Sequence, residues 1–151
     1  MKILIVLSAL FIGQSAAANQ WTAIINCNGG AMVVDEWVSS PYGNSPNYYQ
    51  LVMRDINVIQ FFISRGLARG QVNGKNELIV PVYNVNGRIG PYGEHQGSFM
   101  SSYDGDAHAL AVAPPDASGG VRVSLFHFQY YGRALTEKAN WYFNRCVTAR
   151  R

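Results

Sequence analysis

The sequence predicts a mainly β domain, an antiparallel β-sandwich or barrel of about eight strands with one short helix at about 55–65. Three observations carry this. Apolar and polar residues alternate at period two along most of the chain, the pattern of half-buried strands. Turn-forming clusters of Asn, Asp, Gly and Pro recur every ten residues or so, as in antiparallel hairpins. Only 55–66 carries a convincing helical pattern.

The elements follow in order. In "WTAIINC" (21–27), Trp21, Ala23, Ile25 and Cys27 are expected on one face. Asn28-Gly29-Gly30 reverses the chain, and "AMVVDEWV" (31–38) sets Met32, Val34, Glu36 and Val38 opposite Ala31, Val33, Asp35 and Trp37. These two runs read as a hairpin. "SSPYGNSPNYYQ" (39–50) is a loop with three tyrosines, from which "YYQLVM" (48–53) resumes a strand. In "DINVIQFFISRG" (55–66), Ile56, Ile59 and Ile63 stand at helical spacing with Phe62 adjoining them, Asp55 as N-cap and Gly66 as the C-terminal stop, a buried strand through "NVIQFFI" being the rival reading.

Asn73-Gly74 and Asn86-Gly87 then mark turns, since Asn-Gly suits the positive φ of type I′ hairpins. Pro81 cannot donate to a ladder, so its strand is expected at an edge or with a bulge. "GPYGEHQGS" (90–98) is a second glycine-rich aromatic loop. Asp104-Gly105 turns a hairpin between "SFMSSY" and "AHALAVA"; "PPDASGG" leads to the longest strand, "VRVSLFHFQYY" (121–131). "GRALTEKA" connects it to a last strand, "NWYFNRCV" (140–147), with Thr136 and Glu137 as a competing helix start.

The chain begins like a secretory signal peptide: Met1-Lys2, an apolar run from Ile3 to Gly13, then small residues before a cut ahead of Asn19. The apolar run is about half the roughly 20 residues a spanning helix needs. Residues 1–18 are therefore expected to be cleaved, leaving 19–151 as a single exported domain, periplasmic or extracellular. Removing 18 of 151 residues leaves 133, enough for one core. No later segment is long and apolar enough to span a membrane.

Loss of Lys2 takes the basic count from 12 to 11, against 9 acidic residues. The arginines are scattered rather than gathered into a stripe, which argues against nucleic acid as a partner. In an oxidising compartment the two cysteines, Cys27 and Cys146, are expected to form one disulfide that brings the first and last strands together.

Candidate sites are few. Asp104, Asp106 and His108 offer two carboxylates and an imidazole to a divalent metal, though Asp-Gly is first of all a hairpin turn. His95 follows Glu94 in the glycine-rich loop, and His127 alternates with buried-type residues. No Gly-x-Ser-x-Gly elbow and no phosphate-binding loop is present. Aromatic residues dominate what is left. Tyr42, Tyr48, Tyr49 and Tyr92, with His95, are the expected ligand-binding residues, because tyrosine offers an apolar face and a polar edge. Trp141 and Phe143 are expected to pack.

The expected function is a non-enzymatic binding module that meets a protein or glycan surface through its tyrosine loops, without a cofactor. The alternatives are a small metal-assisted hydrolase using Asp104, Asp106 and His108, or a structural subunit of the cell envelope.

Overall fold

The computed structural model describes residues 20–38, 48–68, 70–84, 88–89, 95–97, 99–103, 108–128 and 135–149. The fold is mainly β and antiparallel, a sandwich-like arrangement of two sheets with a single helix. The strands are β1 (Gln20–Cys27), β2 (Met32–Val38), β3 (Tyr48–Met53), β4 (Leu78–Asn84), β5 (Arg88–Ile89), β6 (His95–Gln96), β7 (Phe99–Tyr103), β8 (His108–Val112), β9 (Val121–Phe128), β10 (Leu135–Phe143) and β11 (Val147–Thr148). The helix, α1 (Ile56–Ser64), lies between β3 and β4. None of the described helical residues forms a segment long and apolar enough to cross a membrane. The signal-like residues 1–18 and the Asn86-Gly87 turn lie outside the described residues.

Nine strands run in the order β10-β9-β8-β7-β4-β3-β2-β1-β11, with β5 and β6 paired apart from them. β4 belongs to both layers. Residues 78–82 pair with β3, whereas Tyr83 and Asn84 pair with β7. Pro81 lies opposite Gln50 of β3, and β4 is an interior strand rather than the expected edge. On its other side Leu78 bridges Val72 and Tyr83 pairs with β7, and Pro81 falls between them where no described partner needs its missing N–H.

The layers close at their far edges. β10 ends at Phe143 in one layer and β11 begins at Val147 in the other. The final run is thus two strands with a crossing between them, not the one continuous strand expected over 140–147. Arg145, at φ 51°, turns the chain there. Asn28 N–H donates to the Asn144 carbonyl at 3.2 Å, and Cys146 N–H to that of Gly119 at 3.1 Å. The Cys27–Cys146 disulfide bridges the same crossing, with Cα atoms 3.9 Å apart. The first and last strands meet, as two cysteines in an exported chain predict.

Buried side chains from both layers fill the space between them: Ile25, Met32, Val34, Leu51 and Met53 from one, Leu110, Val112, Val121, Val123 and Leu125 from the other. The α1 cap chemistry is as expected. Asp55 Oδ1 accepts from the N–H groups of Asn57 and Val58 at 2.9 and 3.2 Å. At the other end Gly66, at φ 68°, donates to the Ile63 carbonyl while Leu67 N–H reaches that of Phe62, the paired bonds of a Schellman stop. The buried stripe matches expectation at Ile59 and Phe62 but takes Val58 as its third member, while Ile56 and Ile63 are exposed. Residues 58, 59 and 62 sit on one side of a 3.6-residue turn, and Phe62 fills more of the core than an isoleucine would.

The 113–120 connection is held by one carboxylate. Asp116 Oδ1 accepts from Ser118 Oγ (2.6 Å), Ser118 N–H (2.9 Å) and Gly120 N–H (3.0 Å), and Oδ2 accepts from Tyr142 Oη (2.7 Å). The Ser118 hydroxyl, then the Tyr142 phenol and the Gly120 amide, hold its carboxyl far below the usual carboxylate range.

Candidate functional site

The residues with most to offer a ligand lie on the outer face of β1–β4, and a β-bulge puts the first of them there. Ala23 pairs with Asp35, but Ile25 pairs with Val34, so Ile24 is an extra residue in β1. Ile24 and Ile25 are both buried. One extra residue reverses the facing of everything before it. Trp21, expected beside Ile25 and Cys27, therefore stands on the opposite face, across from Trp37.

The row continues across the sheet. Trp21 pairs with Trp37, their rings 5.2 Å apart and edge to face. Trp37 pairs with Tyr48. Tyr83 follows Val82, the partner of Tyr49, and by alternation faces the same outer side as Tyr48, although its own ladder partner is Met100 of β7. Trp21, Tyr48 and Tyr83 are 41%, 61% and 71% exposed, and Trp37 is half-buried between its neighbours. Three inter-strand steps make the row about 14 Å long.

The next row on that face is polar. Ala23, Asp35, Gln50 and Pro81 are successive register partners. Gln50 Nε2 donates to Asp35 Oδ2 at 3.0 Å. An ionised carboxylate has about four acceptor positions, and that bond is the one Asp35 makes among the described residues. A ligand hydroxyl resting on the aromatic row would find acceptors beside it.

Behind the row, the inner face carries Glu36 and Tyr49. Glu36 is buried, and the Tyr49 hydroxyl donates to its Oε1 at 3.5 Å. Tyr49 was expected to work alongside Tyr48, and here the structure corrects the sequence reading. Adjacent strand residues point to opposite faces, so Tyr48 joins the outer row while Tyr49, 7% exposed, joins the core. Tyr42 and Tyr92 lie outside the described residues. His95 is in β6, its backbone paired with Ile89.

Of the expected metal cluster, Asp104 and Asp106 lie outside the described residues. His108, at the start of β8, is half-buried with Leu110 and Val112 on its face, and its register partner is His127. The two imidazole rings are 4.9 Å apart and inclined at 57°. Among the described residues no group of three or more His, Cys, Asp or Glu side chains is placed to hold a metal.

Trp21, Trp37 and Tyr83 are the site residues that sequence reasoning missed. One signal was present: an aromatic residue within two positions of the same end of each of four successive strands. Joining them requires the bulge and the β3–β4 register, which no local pattern records. Compared with protein-family models, curated proteins and solved structures, the chain matches none, so its function has to be read from this surface.

Proposed function

We propose that this protein is a non-enzymatic binding module of the exported space whose ligand is a glycan chain, laid across Trp21, Trp37, Tyr48 and Tyr83. The carrying observation is that Trp21, Trp37 and Tyr48 stand in register across three strands, with exposed Tyr83 on the same face of the next, and that no described element packs over them. Aromatic rings exposed together mark a surface meant to be covered. Pyranose rings present a face of C–H groups to such rings while their rim of hydroxyls reaches sideways, here towards Asp35 and Gln50. Size favours a glycan over a protein partner. A stable protein interface needs about 800 Å² on each side, far more than a strip one side chain wide and about 14 Å long. A short oligosaccharide fits that strip. The disulfide and the leader-like first 18 residues support placement outside the cytosol, and Tyr42 lies in the segment that joins the strand of Trp37 to that of Tyr48.

Affinity electrophoresis through gels cast with different soluble polysaccharides tests the reading. At least one polysaccharide should retard the protein, and Trp37→Ala and Tyr83→Ala should each weaken retardation about tenfold, the loss of about 1.4 kcal/mol of stacking. Migration unaffected by every polysaccharide, or equal retardation of both variants and wild type, would refute it.

A further inference from the structure

A second site lies away from the aromatic row and does not depend on it. A cleft of about 330 Å³ opens between the C-terminal end of α1 and strands β8–β10, lined by Phe61, Arg65, Leu67, His108, Leu125 and Lys138. Its composition divides cleanly. Phe61, Leu67 and Leu125 form an apolar floor; Arg65, Lys138 and His108 are the polar groups, and no described lining residue is acidic.

The charge inventory isolates two of these. Arg54 is paired with Glu77 at 2.6 Å, and Arg122 with Glu137 at 3.1 Å. Arg65 and Lys138 have no carboxylate partner among the described residues, yet both are turned to the same cleft. Arg65 lies 4.0 Å over the Phe61 ring. Stacking of this kind uses the face of the guanidinium and leaves its edge donors available. Lys138 is delivered by a bulge: Glu137 pairs with Phe126 and Ala139 with Leu125, so Lys138 is the extra residue. The bulge keeps Glu137 outside with Arg122, packs Ala139 towards the core, and gives Lys138 to the cleft. His108 adds an imidazole whose neighbour is the His127 ring.

We infer that this cleft binds a small organic carboxylate, with the carboxylate held by Arg65 and Lys138 beside His108 and an apolar body resting on Phe61, Leu67 and Leu125. A volume of about 330 Å³ is at the lower end of ligand pockets, which fits a short-chain or single-ring acid. Bidentate bonding of a carboxylate to the guanidinium edge is the strongest interaction available there.

Titration of the full chain with sodium hexanoate, followed by the imidazole resonances of His108 and His127, tests this. Saturable shifts are expected with hexanoate and absent with hexanol, which keeps the chain but loses the charge. Inorganic phosphate should shift the same resonances at least tenfold more weakly, because it lacks the apolar body. Arg65→Gln and Lys138→Gln should each weaken hexanoate binding about tenfold, and both positions are on the surface, so folded variants are expected. Lack of saturable shifts, equal response to hexanol or phosphate, or undiminished affinity in both variants would overturn the assignment.

Discussion

The outer face of β1–β4 and the layer under α1 use the same kind of side chain to opposite ends. Beneath the helix, Phe61 and Phe62 pack on Trp141 with ring centroids 5.2 and 5.4 Å away, and Phe62 is fully buried. On the other side Trp21, Trp37 and Tyr48 stand in a register row over which no described element packs. Both groups come from the ends or middle of regular elements, and both make edge-to-face contacts. The difference lies in what sits on top. One cluster stabilises the fold; the other leaves its aromatic surface exposed.

That contrast predicts a large gap in stability between substitutions. Phe62→Ala should destabilise by about 3–5 kcal/mol, the loss of a large aromatic side chain plus the cavity it leaves, read as a lower urea midpoint at unchanged slope. A cost under about 1 kcal/mol would mean the helix is only loosely seated, and the distinction between covered and bare aromatics would collapse. Trp21→Ala, in the bare row, should cost only about 1 kcal/mol, the value of a cross-strand aromatic pair, in the same measurement. A cost equal to that of Phe62→Ala would make the row a structural element.

Tyr142 sharpens the comparison from between the two classes. Its ring is exposed, but its hydroxyl is committed to Asp116 at 2.7 Å and Ser118 at 2.9 Å. Because the folded-state pKa of Asp116 is depressed, its contribution is present above the ordinary carboxylate pKa of about 3.9 and is lost as pH falls through the lower folded value. Asp116→Asn should therefore lower the melting temperature slightly at neutral pH and flatten its fall below about pH 4. Thermal melts from pH 7 to pH 2 check this, and parallel curves for the two proteins would show that the Tyr142 tie contributes nothing.

What could be read from the sequence was the chemistry that acts locally. Asp55 and Gly66 delimit α1 because a cap and a left-handed stop need only their immediate neighbours. The antiparallel pairing of β7 with β8 and the extended run of β9 are equally local, while the Asp104-Gly105 turn itself lies outside the described residues. Cys27 and Cys146 were pairable because a chain with a leader-like start and two cysteines has one simple pairing open to it. Trp21 shows where this stops. Its facing depends on Ile24 being an extra residue, and that is decided by how β1 fits β2, not by anything written in 20–27. Lys138 is the same case against β9. Tyr48 is exposed, as its residue type suggested, but its aromatic neighbours on that face come from other strands. The carboxylate cleft was invisible for the same cause, since Arg65, His108 and Lys138 meet only through the fold.

The crossing between the two layers has a mechanical consequence. β11 runs antiparallel to β1, with Thr148 against Ile25 and the Ala149 N–H on the Ile24 carbonyl, so both ends of the domain leave the same side. Tension applied to those ends has to peel β11 from β1 and β1 from β2 before it is carried from Cys27 directly to Cys146, across a sequence separation of 119. From then on residues 28–145 lie behind the disulfide and bear no load until a covalent bond yields, whereas Trp21, outside the loop, leaves the aromatic row as β1 peels.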